Sequence, residues 1–151
     1  ELDRALVRRR GWQPTLDARA EALRHRLAST LEQAGREPPT LTELTAIHGA
    51  RVPSLLRILD RAGVVVQVEA DRYYAAAALE RMIEELRARM EPGREYAPAE
   101  LRDLLGVSRK YLIPLLEYCD RVGVTDRRTA GRVLGGTSFA ARTSGQREVH
   151  S

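Results

Sequence analysis

The chain repeats itself, and the repeat limits what it can fold into. Leu55-Leu56-Arg57-Ile58-Leu59-Asp60-Arg61-Ala62-Gly63-Val64 lines up with Leu115-Leu116-Glu117-Tyr118-Cys119-Asp120-Arg121-Val122-Gly123-Val124, sixty positions later. The same offset pairs Pro38 with Pro98, Leu41 with Leu101 and Leu44 with Leu104. An offset of 59 pairs Leu23, Leu27 and Leu31 with Met82, Leu86 and Met90. Two copies of one small domain explain this better than a single larger fold. The shared Asp-Arg-x-Gly-Val ending argues against a chance likeness of leucine-rich helices.

Each copy carries the same plan. Apolar residues at helical spacing (Leu16, Ala20, Leu23, Leu27, Leu31; then Leu79, Met82, Ile83, Leu86, Met90) predict long helices over about 17–34 and 76–90. Gly35 with Pro38-Pro39, and Pro92-Gly93, end them. Short helices follow near 40–48 and 98–105. Thr40 with Glu43 has capping-box spacing, and Pro98 suits a first helical turn. Third helices are expected over about 51–62 and 108–121, with Ser108 as an N-cap and Gly63 and Gly123 as stops. Pro114 falls about six residues into the last of these, so that helix either starts later or is kinked.

A hairpin closes each copy. Val64–Val68 and Arg72–Tyr74 flank a Glu69-Ala70-Asp71 turn; Val122–Arg127 and Arg132–Leu134 flank 128–131. Such short hairpins must pack on their helices. The fold class is therefore mainly α with small β-hairpins (α+β), as tandem winged-helix domains, each a helix-turn-helix plus a wing. Residues 15–75 make the first domain and 76–135 the second. Residues 1–14 read as the end of an upstream winged helix or a linker. Residues 136–151, rich in Gly, Ser, Thr and Ala, read as a disordered tail.

Charge narrows the partners. Net charge is +4, and residues 1–36 and 108–151 each carry eight basic groups against five and four acidic ones. Basic ends suggest nucleic acid, although arginine-rich, alanine-rich composition also follows from coding bias. Apolar runs such as Val64–Val66 are too short to span a bilayer. The charged start lacks the apolar core of a signal peptide. A first residue of Glu1 suggests a piece of a longer polypeptide. Cys119 is the only cysteine, which favours a cytoplasmic setting, and the three histidines have no ligand spacing to it.

Lys110 is the only lysine, beside 24 arginines, and it opens the last long helix within Ser108-Arg109-Lys110-Tyr111. A helix N-terminus favours phosphate. Arginine can fork onto phosphate, lysine adds a compact charge and tyrosine can stack on an unpaired base. An ordinary charged first turn with Tyr111 half-buried competes with this reading. Arg127, Arg128 and Arg132 make the second wing basic, with Asp126 interrupting them. Arg132 is expected to share a face with Arg127. The first wing, with Glu69 and Asp71, suits phosphate poorly, so the first copy reads as a spacer or packing partner. One of Tyr73 and Tyr74 should face inward. Arg8-Arg9-Arg10 reads as a solvated face that could also touch RNA. Cys119 reads as a buried apolar residue. The phosphate-loop, zinc-protease and serine-hydrolase motifs are all missing, so no catalytic residue, cofactor or metal is assigned.

The run from Tyr96 to Leu134 resembles the last winged-helix domain of the bacterial selenocysteine-specific elongation factor (SelB) family. Ala99–Gly106, Ser108–Asp120, Arg121–Thr125 and Arg132–Leu134 carry the likeness, and Gly11–Leu16 and Gly35–Thr40 with Leu44 resemble its preceding domain. The resemblance implies the last two winged helices of such a factor and an mRNA hairpin as partner. That hairpin is the selenocysteine insertion (SECIS) hairpin, bound beside an in-frame UGA codon. GTP and magnesium, the ribosome and selenocysteinyl-tRNA would belong to the full-length factor, with this piece acting as a monomer. By resemblance, Ser108, Arg109, Lys110 and Tyr111 face the RNA, flanked by Arg127, Arg128 and Arg132. Asp126 and the Thr129-Ala130-Gly131 tip depart from a fully basic wing. The alternative is a winged-helix DNA-binding transcription regulator; unequal wing charge argues against equivalent half-sites.

Overall fold

The structure is a computed structural model that describes residues 12–136, with side chains from residue 17 onward. Of the expected tail at 136–151, all but Gly136 lies outside the described residues, as does the Arg8-Arg9-Arg10 run. The first copy comprises α1 (Trp12–Ala34), α2 (Leu41–His48), α3 (Val52–Arg61), β1 (Val65–Glu69) and β2 (Arg72–Ala75). The second comprises α4 (Ala76–Arg89), α5 (Pro98–Leu105), α6 (Arg109–Val122), β3 (Thr125–Arg127) and β4 (Arg132–Leu134). Each pair of strands forms an antiparallel two-stranded sheet. Both copies are winged helices.

Local chemistry explains most boundaries. Helix α1 begins five residues before the expected start, because Pro14 sits in its first turn, where an N–H has no helical acceptor. Thr40 caps α2 through a complete capping box: its Oγ1 accepts the Glu43 N–H at 3.0 Å, and Glu43 Oε1 accepts the Thr40 N–H at 2.8 Å. Those contacts, the Thr40 backbone first, hold the Glu43 carboxyl below its ordinary pKa, with Lys110 adding a smaller charge effect. In α5 only half of this box exists. Glu100 Oε1 accepts the Ala97 N–H at 2.8 Å, and Ala97 offers no side-chain oxygen in return. Gly63 (φ 81°) and Gly123 (φ 85°) turn α3 and α6 into their wings through left-handed backbone that favours glycine.

The two copies do not superpose at a single offset. Helices α2 and α5 start 57 positions apart, at Leu41 and Pro98, whereas Gly63 and Gly123 are sixty apart. The sequence pairing of Leu41 with Leu101 and Leu44 with Leu104 is therefore corrected. Fully buried Leu44 corresponds to fully buried Leu101. In the third helix the sixty-residue offset holds: buried Val52, Leu55, Leu56 and Leu59 fall on buried Leu112, Leu115, Leu116 and Cys119. The surplus in α6 is thus one turn at its start, Arg109-Lys110-Tyr111. Pro114 matches Ser54, a first-turn residue of α3. Helix α6 starts where expected and runs through Pro114, whose missing N–H leaves the Lys110 carbonyl without its helical donor.

The first wing lies between two cores. Val65, Tyr73 and Ala75 pack with Leu27, Leu31, Leu44 and Leu56 of the first copy. Val68 and Tyr74 pack with Leu79, Leu86, Leu112 and Cys119 of the second. Both tyrosines are buried, at 3% and 1% exposure, so the expectation that only one faces inward gives way to a strand covered on both sides. A fully buried large apolar side chain stabilises by about 1.5–3 kcal/mol. The wedge of Val68 and Tyr74 therefore couples the copies firmly. Burial also pushes the Cys119 thiol up to about 12 and raises the Tyr74 hydroxyl.

Candidate nucleic-acid interface

The appended turn of α6 places three of the expected residues together at the helix start. Arg109 and Lys110 are exposed and make no direct ion pair among the described residues, although Lys110 is near enough to lower the Glu43 carboxyl slightly. Ser108 takes the extended N-cap backbone (φ −78°, ψ 162°), but its hydroxyl makes no cap bond, contrary to expectation. Its N–H instead donates to Glu37 Oε2 of the first copy at 3.2 Å. Tyr111 is half-buried, with the Arg72 guanidinium 4.6 Å from its ring centroid and Lys110 Nζ at 5.2 Å. The ring is thus already partnered by two cations, which narrows its room as a stacking platform.

Arg109 also edges a shallow groove between α5 and α6. Pro98, Ala99, Leu112 and Ile113 line it, with Arg102 beside Arg109. An apolar floor with two guanidinium groups at the rim suits a flat aromatic ring attached to an anionic backbone.

The second wing supplies Arg127 and Arg128, both exposed. Its tip is held by the Arg128 N–H on the Gly131 carbonyl at 2.6 Å and the Ala130 N–H on Glu95 Oε2 at 2.6 Å. Gly131 lies against the backbone of Tyr96, where an added Cβ would stand 2.0 Å from the carbonyl oxygen.

Arg132 does not join them, which corrects the sequence expectation. It is 4% exposed, and its guanidinium is fixed on Asp120: Nε lies 3.1 Å from both carboxylate oxygens and Nη2 2.9 Å from Oδ2. Thr125 Oγ1 donates to Asp120 Oδ1 at 2.6 Å and completes the network. A buried guanidinium must find an acceptor, and this one finds it inside the domain rather than on phosphate. The repeat has the same residue types at the matching positions, Asp60 and Arg72, but that pair does not form. Arg72 is buried too, at 8%, but turns elsewhere: to Glu69 Oε2 at 3.1 Å, to the Pro38 carbonyl and to the Tyr111 ring.

The sequence reading also passed over α3. Its exposed face carries Arg57 and Arg61, with Arg51 just before its start, and none of the three makes an ion pair among the described residues. Arg57 and Arg61, four residues apart, share one face of the helix. No helix of the described residues is long and apolar enough to cross a membrane, and no cluster of theirs could hold a metal ion.

Residues 85–134 match the family model described as elongation factor SelB, winged helix. The mRNA-binding domain of SelB from E. coli, solved in complex with SECIS RNA, is 28% identical with a TM-score of 0.60. The match covers 78% of this chain and 97% of that one. The chain belongs to the C-terminal winged-helix domains of the SelB family. The selenocysteine-specific elongation factor of Desulfomicrobium baculatum is 33% identical over 129 residues, covering 83% of this chain and 20% of that protein. That of Escherichia coli K12 is 36% identical over 103 residues, covering 66% and 17%. The chain thus spans about a fifth of the length of the SelB relatives it matches. A bacterial EF-Sec crystal structure, 24% identical with a TM-score of 0.61, shares the fold. Within SelB terms, the appended turn and the groove both belong to the second winged helix of this chain.

Proposed function

We propose that this chain is the mRNA-binding module of a selenocysteine-specific elongation factor and that it grips a SECIS hairpin to recode UGA. The observation that supports this most is its match to 97% of a domain solved with SECIS RNA. In this reading Arg109, Lys110, Arg127 and Arg128 meet backbone phosphates, and Arg132 serves the fold. An unpaired loop base enters the groove between Arg102 and Arg109, because side chains cannot read the deep, narrow major groove of A-form RNA. Tyr111 and Ser108 shape the turn more than they touch RNA. The module works as a monomer in the cytoplasm and is not itself an enzyme. GTP hydrolysis, magnesium, selenocysteinyl-tRNA and ribosome contact belong to the rest of such a factor.

The test is a gel shift at matched salt. One probe is a hairpin RNA from the mRNA just downstream of an in-frame UGA codon; the other is duplex DNA of equal length. Tighter hairpin binding, weakening steeply with salt through on the order of four to six phosphate contacts, is the expected result. Equal or tighter binding to the duplex would favour a DNA-binding regulator.

A further inference from the structure

The basic turn at 109–111 is an addition to the helix that the first copy lacks, and the helix holds it weakly from within. Pro114 removes one hydrogen bond that would tie it down, and the Ser108 hydroxyl makes no cap bond. Its support comes from the first copy instead. Arg36 donates to the Leu105 carbonyl, just before the turn into α6, and ion-pairs with Glu85 Oε1 at 2.6 Å. Glu37 accepts the Ser108 N–H. Arg72, anchored on the Pro38 carbonyl and Glu69, sits over the Tyr111 ring. Residues 36–38 and Arg72 therefore form one connected bracket around residues 105–111.

We propose that Arg72 is a positioning residue for RNA binding: buried in the first winged helix, it fixes Tyr111 and so aims Arg109 and Lys110 of the second. The inference rests on the RNA-binding reading above. The geometry excludes direct phosphate contact by Arg72, which is 8% exposed and committed to three partners. A guanidinium over a tyrosine face is attracted by the ring quadrupole, more strongly when shielded from water. Tyr111 is the third residue of α6, so holding its ring anchors the appended turn that carries Arg109 and Lys110. The repeat supports a specialised role. The matching Arg132 pairs with its own domain's Asp120, whereas Arg72 leaves Asp60 to accept the Gln67 N–H and reaches across to the other copy.

The experiment measures binding of the same hairpin RNA over a salt series, using the whole chain. Arg72→Ala is expected to weaken binding roughly tenfold while the slope of log affinity on log salt stays that of the wild type. Losing a phosphate contact would instead lower the slope by about 0.7–0.9. Tyr111→Leu should weaken binding to a similar extent, Tyr111→Phe should not, and the Arg72→Ala/Tyr111→Leu double variant should bind no worse than either single one. Arg72→Lys keeps the charge but not the flat guanidinium, and should behave like Arg72→Ala. Should Arg72→Ala fail to fold, Arg72→Lys and the two tyrosine variants carry the test. A reduced salt slope, additive losses in the double variant, or wild-type affinity in both Tyr111→Leu and Arg72→Lys would overturn the proposal. Failure of the wild-type chain to bind the hairpin would instead overturn the RNA-binding reading beneath it.

Discussion

Asp120→Ala should destabilise the second winged helix severely, for a reason visible in one side-chain network. Three donor–acceptor contacts run from Arg132 to Asp120, at 2.9–3.1 Å, and Thr125 adds a fourth at 2.6 Å. The Arg132 side chain is 5% exposed and that of Asp120 is 21% exposed. Truncating Asp120 strands a guanidinium that water barely reaches. Removing one partner of a buried pair typically costs 3–5 kcal/mol, and the partial exposure of Asp120 places this case near the lower end, at about 3 kcal/mol. For a chain of this size that corresponds to a fall in Tm of roughly 12 °C. Circular dichroism during heating, or urea titration, reads it directly. Asp120→Ala/Arg132→Met should recover most of the loss, because an apolar chain of similar length fits where an unpaired charge does not. A loss below about 1 kcal/mol for Asp120→Ala, or a double variant no more stable than the single one, would refute the reasoning. The double variant should also bind hairpin RNA with the wild-type salt slope, since Arg132 is a structural residue here.

Three further outcomes follow from particular contacts. Thr40→Ala removes half of a complete capping box and should lower stability by about 1 kcal/mol in urea titration, with Thr40→Ser close to the wild type. Gly131→Ala drives a Cβ into the Tyr96 carbonyl, so it should displace the wing tip and shift the amide NMR signals of residues 95–97 and 128–132, leaving α1 and α3 unmoved. Cys119, fully buried with its thiol pushed up to about 12, should resist alkylation at neutral pH and react only at the rate of unfolding; prompt labelling of the folded chain would contradict that burial.

Much of the fold was legible because it rests on local rules. The repeat, the Thr40–Glu43 spacing, the glycines after α3 and α6, and the apolar stripes each fix an element by propensity or periodicity alone. What escaped the sequence depends on contacts between distant residues. Arg132 looked like Arg127 and Arg128 because a charged residue's burial is decided by whether a carboxylate waits for it, here twelve residues back on a helix. Tyr73 and Tyr74 seemed to obey strand alternation with one wet face, but the second copy covers that face. The three-residue surplus in α6 hid because two offsets, 57 and sixty, each fit part of the repeat. Pro114 was the clue to it, a first-turn proline stranded mid-helix by an added turn. Arg36, Glu37 and Arg72 carry no motif and become noticeable only when the two copies stand side by side.

The central claim is that the appended Arg109-Lys110 turn meets the phosphates of an RNA hairpin. The most direct test compares the wild type with Arg109→Ala/Lys110→Ala by fluorescence anisotropy over a salt series, using a hairpin from downstream of an in-frame UGA codon. Both side chains are exposed and outside any ion pair among the described residues, so their removal should leave Tm nearly unchanged. Affinity should fall at least tenfold, and the salt slope should drop by roughly 1.4–1.8, the share of two phosphate contacts. An unchanged affinity and slope in a normally folded variant would contradict the account.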